Sequence, residues 1–407
     1  MSRIIIFTGK GGVGKTSVVA AHALRAVRGG MNTLLVSADM AHNLGDVFEI
    51  RTHGERTIAE DRLTLLELDP GKIMREDYPD LNRSIVEMIS SSARSDAVGS
   101  DFMFPGLEDL FMLLGIRDLY KSGAYDLILV DCAPSGETLS LLKLPELLEW
   151  YMEKFFPVGK FMTRVLAPVS GALYKVKLPS SEAMDQVSVM HRNLVELQAL
   201  LKNPENASVR LVTLPEKMVN EETKRTYMYL NLYGYHVDRV FINRTLPPQP
   251  DNPFMENWRE IQRQYIEEME SVFTYIPITK IPWYPEEIKG IASLERLAAE
   301  LPENEELFAV RPQRAQGVPE TDVDADGTLY GGPEVYEATK EGYLLKVSVP
   351  GAESAEVKRC GQDLEIRVGN QLRIIPLPST LCRAQIVKTE VKEGVLQAAF
   401  SLGQEAP

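Results

Sequence analysis

The sequence has few cysteines and no long apolar run. Its 407 residues include 3 cysteines, Cys132, Cys360 and Cys382, which lie far apart in the chain. No two of them have CxxC spacing, which excludes a zinc knuckle or an iron–sulfur cradle within one chain. No apolar stretch is long enough to span a bilayer. The short apolar run at residues 4–7 is not followed by the small-residue cleavage site of a secretory signal. We therefore expect a cytoplasmic protein with no transmembrane segment.

Positive charge is also scarce. The chain has 44 lysines and arginines against 58 acidic residues, a formal net charge of -14. Non-specific binding to nucleic acid or to acidic membranes favours basic surfaces, so we expect no nucleic-acid partner.

Apolar segments of strand length alternate with helical stretches over the first three quarters of the chain. The strands are predicted at residues 3–8, 32–39, 62–69, 125–138, 208–216 and 237–244, and the first helix at 15–28. Strands that are apolar throughout and alternate with helices indicate a mostly parallel sheet covered on both faces. We predict an α/β domain over residues 1–308, with a helical insertion at about 70–200.

The pattern changes after residue 308. Residues 309–335 are rich in Pro, Gly and Asp and have no periodicity, which predicts a linker. Residues 336–403 form short alternating strands, with a tight hairpin turn at "KEG", which predicts an all-β sandwich. The length also favours more than one domain.

The segment "GKGGVGKT" at residues 9–16 fits the phosphate-loop pattern G-x-x-x-x-G-K-[ST] and lies between a predicted strand and a predicted helix. Backbone N–H groups of such a loop, including those near Gly9 and Val13, approach phosphate oxygens, and the helix N-terminus adds partial positive charge. We expect Lys15 to reach the β- and γ-phosphates of ATP and the Thr16 hydroxyl to hold Mg²⁺.

Two carboxylates stand at the ends of predicted apolar strands. Asp131 is where a carboxylate that supports the metal through water is expected, and Asp39 can orient the water that attacks the γ-phosphate. The alternative for each is a helix cap or a solvated strand end.

Lys10 lies too early in the loop to repeat the task of Lys15. A second cation near the bridging oxygen would stabilise the charge that develops during cleavage. Because the loop curls around its own nucleotide, Lys10 can instead project towards the nucleotide of a facing subunit. A solvated lysine on an exposed turn is the alternative that spacing leaves open.

These residues resemble the deviant-loop ATPases with "KGGxGK", and among them the ArsA-type ATPases that drive arsenite pumps or target tail-anchored proteins. The resemblance rests on "SADMAHNLGDVF" (37–48), "FPGLEDLFML" (104–113), "DCAPSGETLSLLKLPE" (131–146) and "IPWYPEEIKGIASLERL" (281–297). It covers roughly residues 1–300, and the first and third segments are similar to that family's two switches.

The resemblance implies a role for particular residues. Lys10 is similar to the signature lysine that crosses a homodimer interface, and Asp39 to the water-activating acid. Asn243, Pro282 and Trp283 match adenine-binding positions. The residues that match the loop for phosphate and Mg²⁺ are Gly11, Gly12, Gly14, Lys15, Thr16 and Ser17.

The sequence departs from the family at several positions. Met40 and Asn43 replace a proline and a serine of the first switch, and Glu137 replaces a frequent histidine. The CxxC that joins some targeting ATPases through zinc is missing. Cys132 is the only cysteine of the ATPase region, so one chain cannot build a three-thiolate metalloid site there.

Residues 343–400 resemble the α-crystallin domain of small heat-shock proteins, with "VPG", "LEIRVG", "IPLP" and "GVLQAAF" in that order. A similar tail is found on some bacterial arsenite-pump-like ATPases. An unrelated sandwich is the alternative.

Residues 100–190 are rich in large flexible apolar side chains, among them Met103, Phe104, Phe111, Met112, Trp150 and Met162. Such a segment suits a groove for varied apolar partners. The alternative is that these side chains pack against the sheet, and for any one residue we favour packing over a groove.

We therefore predict a Mg²⁺-dependent ATPase that acts as a homodimer and binds and releases a hydrophobic polypeptide or a membrane-protein partner. The first alternative is the soluble ATPase of an anion or metalloid pump. The second is a small-heat-shock-like scaffold with a regulatory ATP site. A partition-type DNA ATPase is disfavoured by net charge.

Overall fold

The structure is a computed structural model that describes most of both predicted regions. The described residues are 2–38, 44–52, 56–83, 107–132, 136, 138, 142–143, 181–247, 253–310, 334–339, 342–378, 381 and 384–401.

The first region contains eight strands of one sheet. They are β1 (Arg3–Thr8), β2 (Thr33–Ala38), β3 (Thr57–Glu60), β4 (Leu63–Glu67), β5 (Leu127–Cys132), β6 (Ala207–Thr213), β7 (Val237–Thr245) and β8 (Ile278–Pro282). Their spatial order is β3-β4-β2-β5-β1-β6-β7-β8, and all neighbours are parallel except β3 and β4. The predicted fold class, an α/β mostly parallel sheet, is confirmed.

Helices cover both faces of this sheet. The described helices are α1 (Lys15–Arg28), α2 (Leu44–Phe48), α3 (Pro70–Asp77), α4 (Leu107–Lys121), α5 (Ser181–Lys202), α6 (Lys217–Leu232), α7 (Pro253–Val272), α8 (Gly290–Ala299) and α9 (Asn304–Leu307).

Strand β1 lies at the centre of the sheet and packs against a different core on each side. Ile4 and Ile6 join the core under α4, α5 and α6, whereas Ile5 and Phe7 join the core under α1 and α8. All six residues of β1 are buried. A strand covered on both faces has no polar side to leave in water, which explains the continuous apolar runs of the sequence.

The strands predicted from the sequence match the structure in kind and order, and the first helix matches as well. The strand predicted at 125–138 is too long, because β5 ends at Cys132 and Gly136 and Thr138 are helical. The sequence prediction missed β3 and β8, which lie at the two edges of the sheet. β3 is short and carries an exposed isoleucine, Ile58, at 77% of its full exposure. β8 has an exposed lysine, Lys280, and ends at Pro282. Edge strands are covered on fewer sides, so their apolar pattern is weaker.

The C-terminal region forms two antiparallel sheets. One contains β9 (Glu334–Thr339), β10 (Gly342–Ser348), β14 (Gln385–Lys392) and β15 (Val395–Ser401), and the other β11 (Glu356–Cys360), β12 (Asp363–Val368) and β13 (Gln371–Pro376). The predicted hairpin is confirmed, because Glu393 and Gly394 join β14 to β15 with positive φ angles of 52° and 74°. Two positive φ angles are typical of a type I′ turn.

Helix α6 is buried between the large sheet and the C-terminal strands. Every residue from Thr226 to Leu232 is buried, two full turns with no exposed side. A helix at a sheet surface normally leaves one face in water. Here the second face is covered by the C-terminal region, and the pKa of Tyr227 is raised to about 12 by burial.

Two of the large apolar side chains of the 100–190 segment pack in the core rather than at a surface. Phe111 and Met112, on α4, are 0% and 3% exposed. Most of that segment, the 311–333 part of the predicted linker and Cys382 lie outside the described residues. None of the helices that the structure describes is both long and apolar enough to cross a membrane.

A buried ion cluster joins β1, β6 and β7. Asp238 accepts hydrogen bonds from Arg210 Nε (3.1 Å), Arg3 Nη2 (3.3 Å) and Ser208 Oγ (2.9 Å). Burial by itself would raise the pKa of Asp238, but the two arginines outweigh burial and lower it. The arginines also donate to backbone carbonyls of Leu307 and Phe308, which fixes the end of the first region to the sheet.

Replacing Asp238 should therefore be costly. Asp238→Asn leaves two buried guanidinium groups without their carboxylate, and we expect it to lower the free energy of unfolding by about 3–5 kcal/mol. Asp126→Asn is the control, because Asp126 Oδ2 accepts an exposed bond from the Asn32 amide. Urea unfolding followed by tryptophan fluorescence tests this, and equal midpoints for the two variants would contradict it.

His22 makes stability depend on pH. It lies between Phe7 and Phe241, with ring centroids 4.7 and 4.8 Å away, and its Nδ1 donates to the Val18 carbonyl. Burial, and then the charge of Arg210, lower its pKa well below the ordinary 6.5. The folded state therefore disfavours protonation of His22.

Because the folded pKa is depressed, the stabilisation is present above pH 6.5 and is lost as the pH falls towards the folded pKa. We expect a loss of about 1.4 kcal/mol per pH unit in that window. His22→Leu should flatten the pH dependence, whereas His191→Gln, at a half-buried position on α5, should keep it. Unfolding midpoints between pH 7 and pH 5 measure the difference; parallel curves for wild type and His22→Leu would refute the assignment.

Candidate functional site

The glycine loop leaves the central strand of the sheet at its carboxyl end. Gly9 follows β1 with φ +156°, and a Cβ there would overlap the carbonyl oxygen of Val212 on β6. Only glycine allows the loop to pass so close to the neighbouring strand. The loop is thereby held against the sheet before α1 begins.

The other end of the loop is fixed by a side chain of β7. Asn243 donates from Nδ2 to the Val13 carbonyl at 2.9 Å, and its Oδ1 accepts from the Arg244 amide. Gly14, with φ +91°, immediately precedes α1, and a Cβ on it would overlap the Asn243 amide nitrogen. The predicted adenine position Asn243 therefore also supports the phosphate loop.

Lys15, the predicted phosphate-binding lysine, lies where the loop meets α1. It is the first residue of α1 and only 8% exposed, and its Nζ donates to the Lys10 carbonyl at 3.4 Å. The ammonium group thus lies over the loop and beside the N-terminus of α1, where backbone N–H groups attract anions. Thr16 and Ser17, next in the helix, are half-buried.

The Lys10 side chain points away from the Lys15 ammonium group and the N-terminus of α1. Its side chain is 34% exposed, and its Nζ lies 3.6 Å from Oε2 of Glu222 on α6. A half-exposed pair of this kind is worth at most about 1 kcal/mol. The contact is weak enough to be exchanged for a stronger anion such as a phosphate.

Asp131 is close to the loop because of the way β5 pairs with its neighbouring strands. On β5 it is paired with Phe7 of β1 and with Ser37 of β2, and it is 2% exposed. Mg²⁺ prefers oxygen ligands and usually keeps several waters beside nucleotide phosphates. The hydroxyl of Thr16 and the carboxylate of Asp131 are therefore a donor set that fits Mg²⁺. Among the described residues there is no cluster of three or more metal-ligating side chains.

The predicted adenine positions lie together at the adjacent strand ends. Pro282 ends β8, Trp283 follows it with 54% exposure, and the Trp283 amide donates to the Thr245 carbonyl of β7 at 2.9 Å. Asn243 lies on the same strand, β7. The two sets of residues form one edge of the site, and their contact with adenine remains a prediction.

The first-switch acid cannot be placed, because Asp39 lies outside the described residues, directly after β2. Glu222 is a residue that the sequence prediction missed. It belongs to the segment "TLPEKMVNEETKRTYMYL", which resembles a block of the ArsA-type ATPases, but nothing in spacing pairs it with Lys10. Only the folded position of α6 does.

Two family profiles match this chain. One, described as "Anion-transporting ATPase", matches residues 2–303, and the other, described as "HSP20-like domain found in ArsA", matches residues 340–400. Together they take in the large sheet with helices α1 to α8 and all but the first of the C-terminal strands.

Individual relatives agree with these profiles. Two proteins provisionally named arsenical pump-driving ATPases, from Chlorobaculum tepidum and Prosthecochloris vibrioformis, are 33% and 34% identical to this chain. Each alignment covers 99% of this chain and 97% of the relative. The ATPase GET3 of Phaeosphaeria nodorum is 26% identical over 72% of this chain and 93% of its own length.

The loop geometry predicts a specific effect of a methyl group at Gly14. Gly14→Ala should weaken ATP binding at least tenfold, because the new Cβ displaces Asn243 and the loop that it holds. Gly123→Ala is the control, since Gly123 also has positive φ (+61°) but no atom lies within 4 Å of its Cβ position. Each substitution carries a similar backbone strain of about 1–2 kcal/mol.

Titration with a fluorescent ATP analogue, together with thermal unfolding, separates loss of the site from loss of the fold. Similar affinities for the two variants would show that the Gly14–Asn243 contact does not support the loop.

Proposed function

Because the chain belongs to the ArsA family of anion-transporting ATPases, we propose that its ATP hydrolysis drives a nucleotide-switched homodimer. The dimer binds and releases a hydrophobic polypeptide or a membrane-protein partner. Thr16, and Asp131 through water, would hold Mg²⁺, which would supply positive charge for phosphoryl transfer, and Asp39 would orient the attacking water.

The observation that carries this proposal is that the two loop lysines point in different directions. Lys15 covers its own loop, whereas Lys10 points to Glu222 and is one-third exposed. Two cations in one loop that both served the same phosphates would be expected on the same side of it. Lys10 is instead available to an anion outside its own chain, as an arginine finger supplied by a second subunit would be.

An exposed apolar stripe on α7 supports a contact between two copies. On α7, Phe254, Trp258 and Ile261 are exposed at 68%, 42% and 39% and recur at helical spacing. Helix α7 packs on α6, where Asn220 donates to the Tyr265 carbonyl. The stripe thus lies on a helix that packs against α6, the helix that pairs with Lys10, and an exposed apolar stripe is a surface that a second copy would cover.

The proposed switch depends on the position of Asp131 near the end of β5. Asp131 is the penultimate residue of β5, beside the loop, so loss of the γ-phosphate would release the segment that follows Asp131. Motion of that segment converts a phosphate contact into a change of surface, which suits capture and release of a partner. The resemblance to targeting ATPases supports a hydrophobic partner.

The pump-driving role in the names of several relatives is the second candidate. Among the described residues Cys132 is buried on β5 and Cys360 is exposed on β11 in the other region. They belong to different domains, which disfavours a metalloid site within one chain. Stimulation of the ATPase rate by arsenite or antimonite would favour the pump role, and an unchanged rate would favour the polypeptide partner.

Mixing two inactive variants tests the role of Lys10 in trans. Lys10→Ala and Lys15→Ala should each nearly abolish turnover, the first with ATP affinity largely intact. In a mixed dimer, the Lys10→Ala chain keeps its own loop and receives Lys10 from the Lys15→Ala chain. Random pairing of identical interfaces should then restore about a quarter of the wild-type rate.

Lys280→Ala serves as the control for removal of a lysine, because Lys280 pairs with Glu270 on the surface, and it should keep full activity. The ATPase rate of the mixture is compared with each variant alone, after exchange of subunits. A mixture no more active than its parts would assign Lys10 to its own nucleotide and remove the basis of the switched dimer.

A further inference from the structure

Helix α6 connects two distant parts of the molecule. Near its N-terminus Glu222 pairs with Lys10 of the loop, and its last residue, Leu232, lies under the C-terminal strands. The ten residue steps from Glu222 to Leu232 span about 15 Å of helix. Glu222, Thr226, Tyr229 and Tyr233 follow one another at helical spacing, so one face of α6 runs from the loop to the second domain.

The C-terminal domain binds the end of α6 through the turn between β12 and β13. Arg373 Nη1 donates to the Leu232 carbonyl at 2.6 Å, Tyr233 Oη to the Leu372 carbonyl at 2.9 Å, and Tyr229 Oη to Asn370 Oδ1 at 3.0 Å. Arg373 is 2% exposed. A buried cation on the last carbonyl of a helix also interacts favourably with the helix dipole.

The turn that follows α6, residues 233–235, contacts the segment that follows Asp131. Tyr235 Oη donates to the Leu142 carbonyl at 2.5 Å, and both residues are buried. The Lys143 ammonium lies 5.2 Å from the centre of the Tyr233 ring, and burial lowers the pKa of Lys143. Tyr233 is therefore in contact with Lys143 on one side and with the C-terminal domain on the other.

We propose that the Tyr233–Tyr235 turn links the segment after Asp131 to the C-terminal domain, so that the nucleotide state of the loop changes how firmly the β12–β13 turn docks on α6. The link rests on the proposed nucleotide switch and goes beyond it, since it gives the C-terminal domain a position that ATP controls. In the described structure the docked state contains Tyr235–Leu142, Lys143–Tyr233 and Arg373–Leu232 together.

The reason for a coupled response is geometric. Leu142 and Lys143 contact Tyr235 and Tyr233, which are separated by one residue, so displacement of the segment disturbs both. Tyr233 cannot move without lengthening its bond to the Leu372 carbonyl. A packed junction of this kind has few intermediate arrangements, so a small shift on one side changes the population of the docked state on the other.

Hydrogen exchange of the full-length protein tests the link. Amides of residues 364–376 are compared in the presence of ADP and of a non-hydrolysable ATP analogue with Mg²⁺. We expect their exchange rates to differ severalfold between the two nucleotides. Tyr235→Phe, which removes only the hydroxyl bonded to Leu142, should reduce that difference by more than half.

Tyr120→Phe is the matched control, because the Tyr120 hydroxyl bonds Asn206 elsewhere in the first region. It should keep the wild-type difference. The link is overturned if a protein that hydrolyses ATP shows the same exchange in both nucleotides, or if Tyr235→Phe and Tyr120→Phe behave alike. A protein that does not turn over ATP would instead contradict the proposed function, and the link with it.

Coupling must also act in the reverse direction, because the free energy that connects two sites is reciprocal. Asn370→Ala removes the bond to Tyr229 from an exposed turn and should change the ratio of ATP to ADP affinity at least twofold. Gln362→Ala, in the exposed turn at the other end of β12, should leave the ratio unchanged. Equal ratios in wild type and in both variants would contradict the coupling.

Discussion

The candidate site depends on the parallel register of three central strands. β1 is paired with β5 on one side and with β6 on the other, so Phe7, Asp131 and Arg210 lie at one level of the sheet. The loop can then turn against the Val212 carbonyl while Asp131 stays beside it. Because side chains of a strand alternate, a slip of one residue would point the Asp131 carboxylate to the opposite face. Complete burial on both faces makes such a slip costly.

A second constraint comes from α6. Two of its turns, from Thr226 to Leu232, are buried on all sides, and a helix with no exposed face needs cover on both sides. The sheet supplies one cover and the C-terminal domain the other, with Arg373 binding the end of the helix. The domain is thus part of the packing of the ATPase region, and its strands share the same apolar core. The cover that it provides for α6 is a structural reason for the attachment of the small-heat-shock-like module to this ATPase.

Much of the fold could be read from the sequence because its signals are local. Buried strands produce continuous apolar runs, and the glycine loop has a fixed spacing between a strand and a helix. The hairpin at Glu393 and Gly394 was equally clear, since few residues tolerate positive φ twice in succession. The edge strands β3 and β8 were missed because they are short and partly exposed. For the segment after residue 100, local pattern could not separate core from surface; Phe111 and Met112 are core.

The sequence by itself determined which residues have the chemistry for phosphates, since Gly9, Gly14, Lys15 and Thr16 are fixed by loop spacing alone. The tertiary structure decided which distant residues support them. Asn243 holds Val13, Glu222 holds Lys10, and Tyr235 holds Leu142, each across more than ninety residues of sequence. Periodicity records only whether a side chain meets an apolar or a polar environment. It carries no information about which strand or helix supplies the partner, because that choice depends on the order in which strands pair in the sheet.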